Sequence, residues 1–119
     1  MQSMAVSVAM VIEYIRYKTA DSKQEQFLSD YRLASESLMR SPHCLAYELT
    51  RCGEEPDHFV LRLEWDSYEG HLQGFRNSPE FLDFFSHVRL YLTDVEEMHH
   101  YELTDVVGSK KGASASAGE

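Results

Sequence analysis

Positive charge is what this sequence has least of: 11 lysines and arginines stand against 20 aspartates and glutamates, a net charge of −9 over 119 residues. Nucleic-acid binding depends on clustered cations that displace the counterions of a phosphate backbone, so this balance argues against it. It argues equally against a passive anchor on an anionic lipid surface. Long apolar runs are missing as well. No stretch approaches the ~20 residues of a membrane-spanning helix, and the first residues lack the basic, apolar, small-residue order of a secretory signal. A soluble, cytoplasmic protein is the expectation.

Cysteine is scarce too. Cys44 and Cys52 lie eight positions apart in what reads as one strand, roughly 26 Å at ~3.3 Å per residue, too far to bridge. They read as free thiols, and His43 beside Cys44 is only a weak reason for reactivity. His43, Cys44 and Cys52 are too spread for a zinc site, and His99 and His100 point to opposite faces of a strand, so no metal centre is expected. The six glycines follow no strand in the pattern of a phosphate loop, dinucleotide fingerprint or nucleophile elbow. Any chemistry is expected to proceed without a nucleotide cofactor, or on a ligand taken up whole.

What is present suffices for one domain with a single core layer. We expect residues 1–104 to form it and the Gly-, Ala-, Ser- and Lys-rich residues 105–119 to be a flexible tail. In "AVSVAMVIEYIRY", residues 5–17, both alternate rows are apolar: Val6, Val8, Met10, Ile12 and Tyr14 on one, Ala9, Val11 and Ile15 on the other. Such a strand belongs inside a sheet. The next segment has Asp21 or Ser22 as a cap and Phe27, Tyr31, Ala34 and Leu38 at helical spacing. Ser41-Pro42 ends that helix. "HCLAYELTRC" and "HFVLRLEW" then alternate as a hairpin with a loop of residues 53–57, setting Tyr47 opposite Leu63, Leu45 opposite Trp65 and Glu48 opposite Arg62.

Asp66 and Glu69 have capping-box spacing for a helix from Ser67, and Ser78-Pro79 is a second start signal. Residues 67–90 therefore read as two helical pieces jointed at Arg76-Asn77, the second carrying Phe81, Phe84, Phe85 and Val88 as an apolar stripe through "PEFLDFFSHVRLYL". "VEEMHHYEL" reads as a last strand, with Val95, His99, Tyr101 and Leu103 on one row and Met98 and His100 on the other. The order β-α-β-β-α-β is a ferredoxin-like, α+β fold with a four-stranded antiparallel sheet. Its helix-free face, with Cys44, Ala46 and Val60 around Glu48 and Arg62, calls for a second copy packed sheet to sheet, a homodimer.

Three features stand out as functional candidates, each beside a plainer reading. Trp65 is either a core residue or the aromatic wall of a pocket at the strand end. Gly70 and Gly74, one turn apart, each cost roughly 1 kcal/mol relative to alanine, in return for close approach to a strand or room for a flat ligand. His71 and Phe75 share a helix face, and His87 follows Phe84 by three; either imidazole could titrate near neutrality as a general base, although a lone helical histidine is more often merely solvated or hydrogen-bonded.

This element order, together with "LRLEWDSYEGHLQGFRNSPEFLDFF", resembles the antibiotic biosynthesis monooxygenase family of dimeric α+β barrel proteins. The shared features are a strand ending in Trp65, a short helix over Gly70 to Phe75, and Ser78-Pro79-Glu80-Phe81 opening a second helix. The resemblance spans about residues 8–104 and implies a small cofactor-independent monooxygenase acting with O2 on an aromatic phenol, anthrone or quinol. Such chemistry asks for a dry aromatic cavity, a base and a donor for the developing oxyanion. Here the implied walls are Trp65, Phe75, Phe84, Phe85 and Tyr14. The implied base is His71, with His87 as its substitute, and the donor is Arg76 or Asn77, with Tyr47 or Tyr101 able to supply a phenolic hydrogen bond. The heme-degrading branch of the family uses a first-strand Asn, a helical Trp and a helical His ligand. Aligned on Ser78-Pro79, those last two positions fall on Phe75 and Phe85, and the first strand has Glu13 and Tyr14 but no Asn. Heme held by His87 or His71, and a non-catalytic dimeric module binding an apolar aromatic ligand, are the alternatives.

Overall fold

Residues 10–110 are described by a computed structural model; Val6, Val8, Ala9 and the end of the expected tail lie outside them. Alternation builds four strands: β1 (Val11–Lys18), β2 (Cys44–Arg51), β3 (His58–Trp65) and β4 (Val95–Glu102). They form one antiparallel sheet in the order β2-β3-β1-β4, so β1 and β3 are central. That is why Val11, Ile12, Ile15 and Tyr17 of β1 are all buried. The helices α1 (Gln24–Arg40) and α2 (Pro79–Val88) cover one face, as the ferredoxin-like reading expects. Phe27, Tyr31, Ala34, Leu38, Phe84 and Val88 from these helices meet Phe59, Leu61, Leu63 and Trp65 of β3 in a single core. Among the described residues no helix is long and apolar enough to cross a membrane.

Two bulges change which side chains face that core. In the β2–β3 hairpin Tyr47 pairs with Leu63 and Glu48 with Arg62 as expected, but Cys44, not Leu45, stands opposite Trp65. Leu45 is the extra residue and is half exposed, because a bulge puts two residues of one strand against one of the other. Cys44 consequently belongs to the core and not to the open face, and burial pushes its thiol up to about 11, which keeps it unreactive. A second irregularity in the β1–β4 pairing pairs Tyr17 with Val95 and Arg16 with Glu97. Val95 therefore packs against the core, separated from the His99–Tyr101 row with which simple alternation groups it.

Helix ends also depart from the sequence expectations. Asp21–Lys23 form a short 3-10 turn before α1, which has no side-chain cap. Asp66 does not cap the next helix, because its carboxylate is 2.9 Å from His43 Nδ1. Ser67 Oγ takes that place by accepting from Gly70 N at 2.8 Å. The Ser78-Pro79 start is as expected, with Ser78 Oγ accepting from Phe81 N. α2 stops at Val88, and the expected continuation is a 3-10 segment, Arg89–Asp94.

Candidate active site

The stretch between β3 and α2 is a π-helical segment, Gly70–Phe75, closed by a bond from Arg76 N to His71 O at 3.1 Å, five residues back. A π turn holds more residues than an α turn and is common where side chains must be re-aimed. Here it turns His71, Phe75 and Arg76 toward one cavity. The two glycines serve the other side of the segment. A Cβ at Gly70 would collide with Asp66 and one at Gly74 with the His43 ring. Of the two uses open to them, close approach to a strand end is the one realised.

The cavity lies between sheet and helices, has a volume of about 240 Å³, and is walled by Trp65, Phe75, Phe81, Phe84 and Phe85 with Ile15, Leu63 and Met98. Its polar groups come from Glu13, His71 and Arg76 and from Tyr17, whose hydroxyl is bonded to that of Tyr31. Glu13 sits in the middle of β1 and is 2 % exposed. Burial raises its pKa above the ordinary carboxylate value, and the Trp65 N–H and the charge of Arg76 only partly offset this. Trp65 Nε1 donates to Glu13 Oε1 at 3.0 Å, so the lone tryptophan is at once wall and carboxylate anchor.

His71 lies flat on Trp65, ring centroids 4.3 Å apart and planes 17° apart. Its Nε2 is 3.5 Å from Glu13 Oε1, and its Nδ1 is 2.9 Å from His100 Nε2. Burial, His100 and the Arg76 charge lower the His71 pKa to about 3, and burial followed by Arg76 and His99 lowers that of His100. Both imidazoles are thus neutral at neutral pH. With an ionised Glu13 the donors must face the carboxylate. Trp65 Nε1–H and His71 Nε2–H then point at it, and His71 Nδ1 accepts from His100 Nε2–H. These contacts link the buried carboxylate through His71 to His100, which is part exposed at the end of the series.

Of the residues singled out in the sequence, the fold gathers His71, Trp65, Arg76, Phe75, Phe84 and Phe85 around this cavity. It does not bring in five others, Asn77, His87, Tyr14, Tyr101 and Tyr47. Asn77 is outside, its Nδ2 donating to Gln73 O at 2.8 Å. His87 is on the outer side of α2, 3.9 Å from Asp83, and so does not reach a ligand in the cavity as either base or heme ligand. Tyr14 is on the helix-free face, edge-on to Tyr101 at 5.4 Å. Tyr47 lines a separate shallow groove with Tyr31 and Arg32. Sequence reasoning overlooked Glu13 and His100. A lone acid among β-branched residues in a central strand was the available signal for the first. The second sits on the inner row of β4 opposite Glu13, a placement that needs the register.

A family model described as antibiotic biosynthesis monooxygenase matches residues 10–86. YczJ of Bacillus subtilis is 24% identical over 93 residues, covering 78% of this chain and 98% of that protein. Among solved structures, a conserved protein from Methanosarcina mazei superposes with a TM-score of 0.70 at 17% identity, over 85% of this chain and 99% of that one. SnoaB of Streptomyces nogalater, described as a cofactor-independent oxygenase, does so with a TM-score of 0.62 at 17% identity, over 84% and 96%. At such identities the structural likeness speaks for the fold alone.

Proposed function

The chain belongs to the antibiotic biosynthesis monooxygenase family, and from that premise we propose that it oxygenates an electron-rich aromatic, a phenol, anthrone or quinol, with O2 and without an organic cofactor. The observation that carries this reading is the cavity, apolar and aromatic on most sides with Glu13, His71 and Arg76 as a compact polar group. Similarity to a fold described as a cofactor-independent oxygenase agrees with it.

The chemistry follows from those groups. An acidic C–H or O–H of the substrate gives its proton to the Glu13 carboxylate, whose raised pKa makes it a stronger base than a solvated glutamate. The pKa of His71, about 3, moves it from proton acceptor to positioning residue, stacked on Trp65 with its Nε2 3.5 Å from the Glu13 oxygen that Trp65 binds. Arg76 stabilises the developing oxyanion. The resulting anion passes one electron to O2, and radical and superoxide combine to a peroxide anion that takes back the proton from Glu13 to give a hydroperoxide. For an anthrone this loses water to leave a carbonyl, so the substrate supplies every electron. Exclusion of water by the phenyl walls keeps these charges from being screened.

Oxygen uptake by the purified protein over a panel of anthrones and hydroquinones tests the reading. Uptake in stoichiometry with quinone formation supports it, and thermal stabilisation by those compounds without uptake points to the binding module instead. The homodimer belongs to the same proposal. Tyr14 and Tyr101 are exposed on the helix-free face, and a second copy stacked there would cover them. A single monomeric species by light scattering at micromolar concentration would contradict it.

A further inference from the structure

We infer that Glu13, His71 and His100 form a binding site for one divalent first-row transition metal ion, held by two imidazoles and one carboxylate. The three side chains come from β1, the π-helical segment and β4, and one donor atom of each lies within 4.8 Å of the others. His71 Nδ1 and His100 Nε2 are 2.9 Å apart. Two nitrogens bound side by side to an octahedral ion, each at ~2.1 Å, are separated by roughly 3.0 Å. The spacing suits an ion held by both rings, provided that the part-exposed His100 ring turns so that the two lone pairs, aimed at each other in the hydrogen bond, converge on it. Glu13 Oε2 is 3.8 Å from His100 Nε2, and the remaining pair of donors lies within the same 4.8 Å.

The surroundings are those of a built site. His71 is clamped on the Trp65 indole, so its ring direction is fixed before any ion arrives. Trp65 Nε1–H occupies Glu13 Oε1 and leaves Oε2 toward His100, the outer hydrogen bond that orients a ligating carboxylate. Nitrogen and oxygen donors without sulfur suit Zn²⁺, Fe²⁺ or Co²⁺ better than Mg²⁺ or Ca²⁺, which prefer oxygen alone. Glu13 and His71 line the cavity, so the remaining coordination positions open toward a cavity ligand, as in sites that are not purely structural. Arg76 opposes a cation there, and the Glu13 charge offsets it.

This inference rests on the three donors and not on the oxygenation reading, and binding is measured with no substrate, so either can fail alone. Full-length protein stripped with a chelator is titrated with Co²⁺ by visible absorption and with Zn²⁺ by calorimetry near neutral pH. One equivalent per chain is expected. Glu13→Gln and His100→Ala should each weaken binding ~10²-fold, the second at a part-exposed position whose loss leaves the core intact. His99→Ala, on the opposite face of β4, should leave binding unchanged. No saturable binding below ~100 μM overturns the inference. So does binding that survives both ligand variants, or that disappears in His58→Ala, which would assign the ion to His58, whose ring nitrogens are 2.8 Å from Asp57 and 3.2 Å from Glu96.

Discussion

The two ends of the helix-covered side of the sheet are built from the same residue types and do opposite things. At one end Phe27 packs against Tyr17, Tyr31, Phe59 and Tyr91, all with ring centroids about 5 Å from its own, and is itself fully buried. At the other, Trp65, Phe75, Phe81 and Phe84 make a similar chain of rings around a cavity of about 240 Å³. The difference lies in the helix above. α1 is one regular 17-residue helix, whereas the second covering element is a π turn, a break and then α2. Regular covering lets side chains interdigitate to interior density. The broken cover holds the rings apart and places an imidazole and a guanidinium where another apolar residue would have filled the gap.

Three substitutions can break this contrast. Phe27→Ala, in the filled end, should cost about 3–5 kcal/mol of unfolding free energy by urea denaturation, because Phe27 is fully buried and its neighbours cannot collapse onto the void. Ligand binding per folded molecule should stay as it was; loss of binding would mean the two ends are not separate.

His71→Gln tests the polar end through pH. His71 has a pKa of about 3 in the folded protein against an ordinary 6.5, so the stability it contributes is fully present above 6.5 and is lost as pH falls toward 3. Between pH 6.5 and about 5 the loss is roughly 2 kcal/mol. Glu13, with a raised pKa, tilts the other way, its contribution present below the ordinary carboxylate range and lost as pH rises through the raised value. The wild-type minus variant difference isolates the His71 slope. Parallel stability curves would mean that His71 is not held neutral.

Gly74→Ala should be the mildest, at about 1–2 kcal/mol of destabilisation, since the added methyl overpacks the His43 ring. In a His43→Ala background the same change should instead stabilise, by ~1 kcal/mol of helix propensity. No reversal of sign would mean that the glycine is kept for another reason.

The sequence carried the fold further than the site for a physical reason. Alternation and caps are local, so the end of β1, the body of α1, the hairpin and the Ser78-Pro79 start could be read within a residue or two, as could the pairing of Tyr47 with Leu63. A bulge is decided by pairing with another strand, and one extra residue reverses which side chains face inward. Leu45, Cys44 and Val95 fall on unexpected sides for that cause. Helical periodicity placed His71 and Phe75 together, and the π turn added Arg76. Glu13, hidden among valine and isoleucine, and His100, read only as a neighbour of His99, become site residues once β1 and β4 are in register.

The central claim is that the open end holds an aromatic hydroxyl against a strong buried base. A hydroxyanthraquinone dye, whose ionised form absorbs at longer wavelength, reports this directly when bound at a pH below its own pKa. The account predicts the spectrum of the ionised dye on the wild-type protein and of the neutral dye on Glu13→Gln, with Phe27→Ala resembling the wild type. A bound dye that stays neutral on the wild type, or ionises equally on Glu13→Gln, would contradict it.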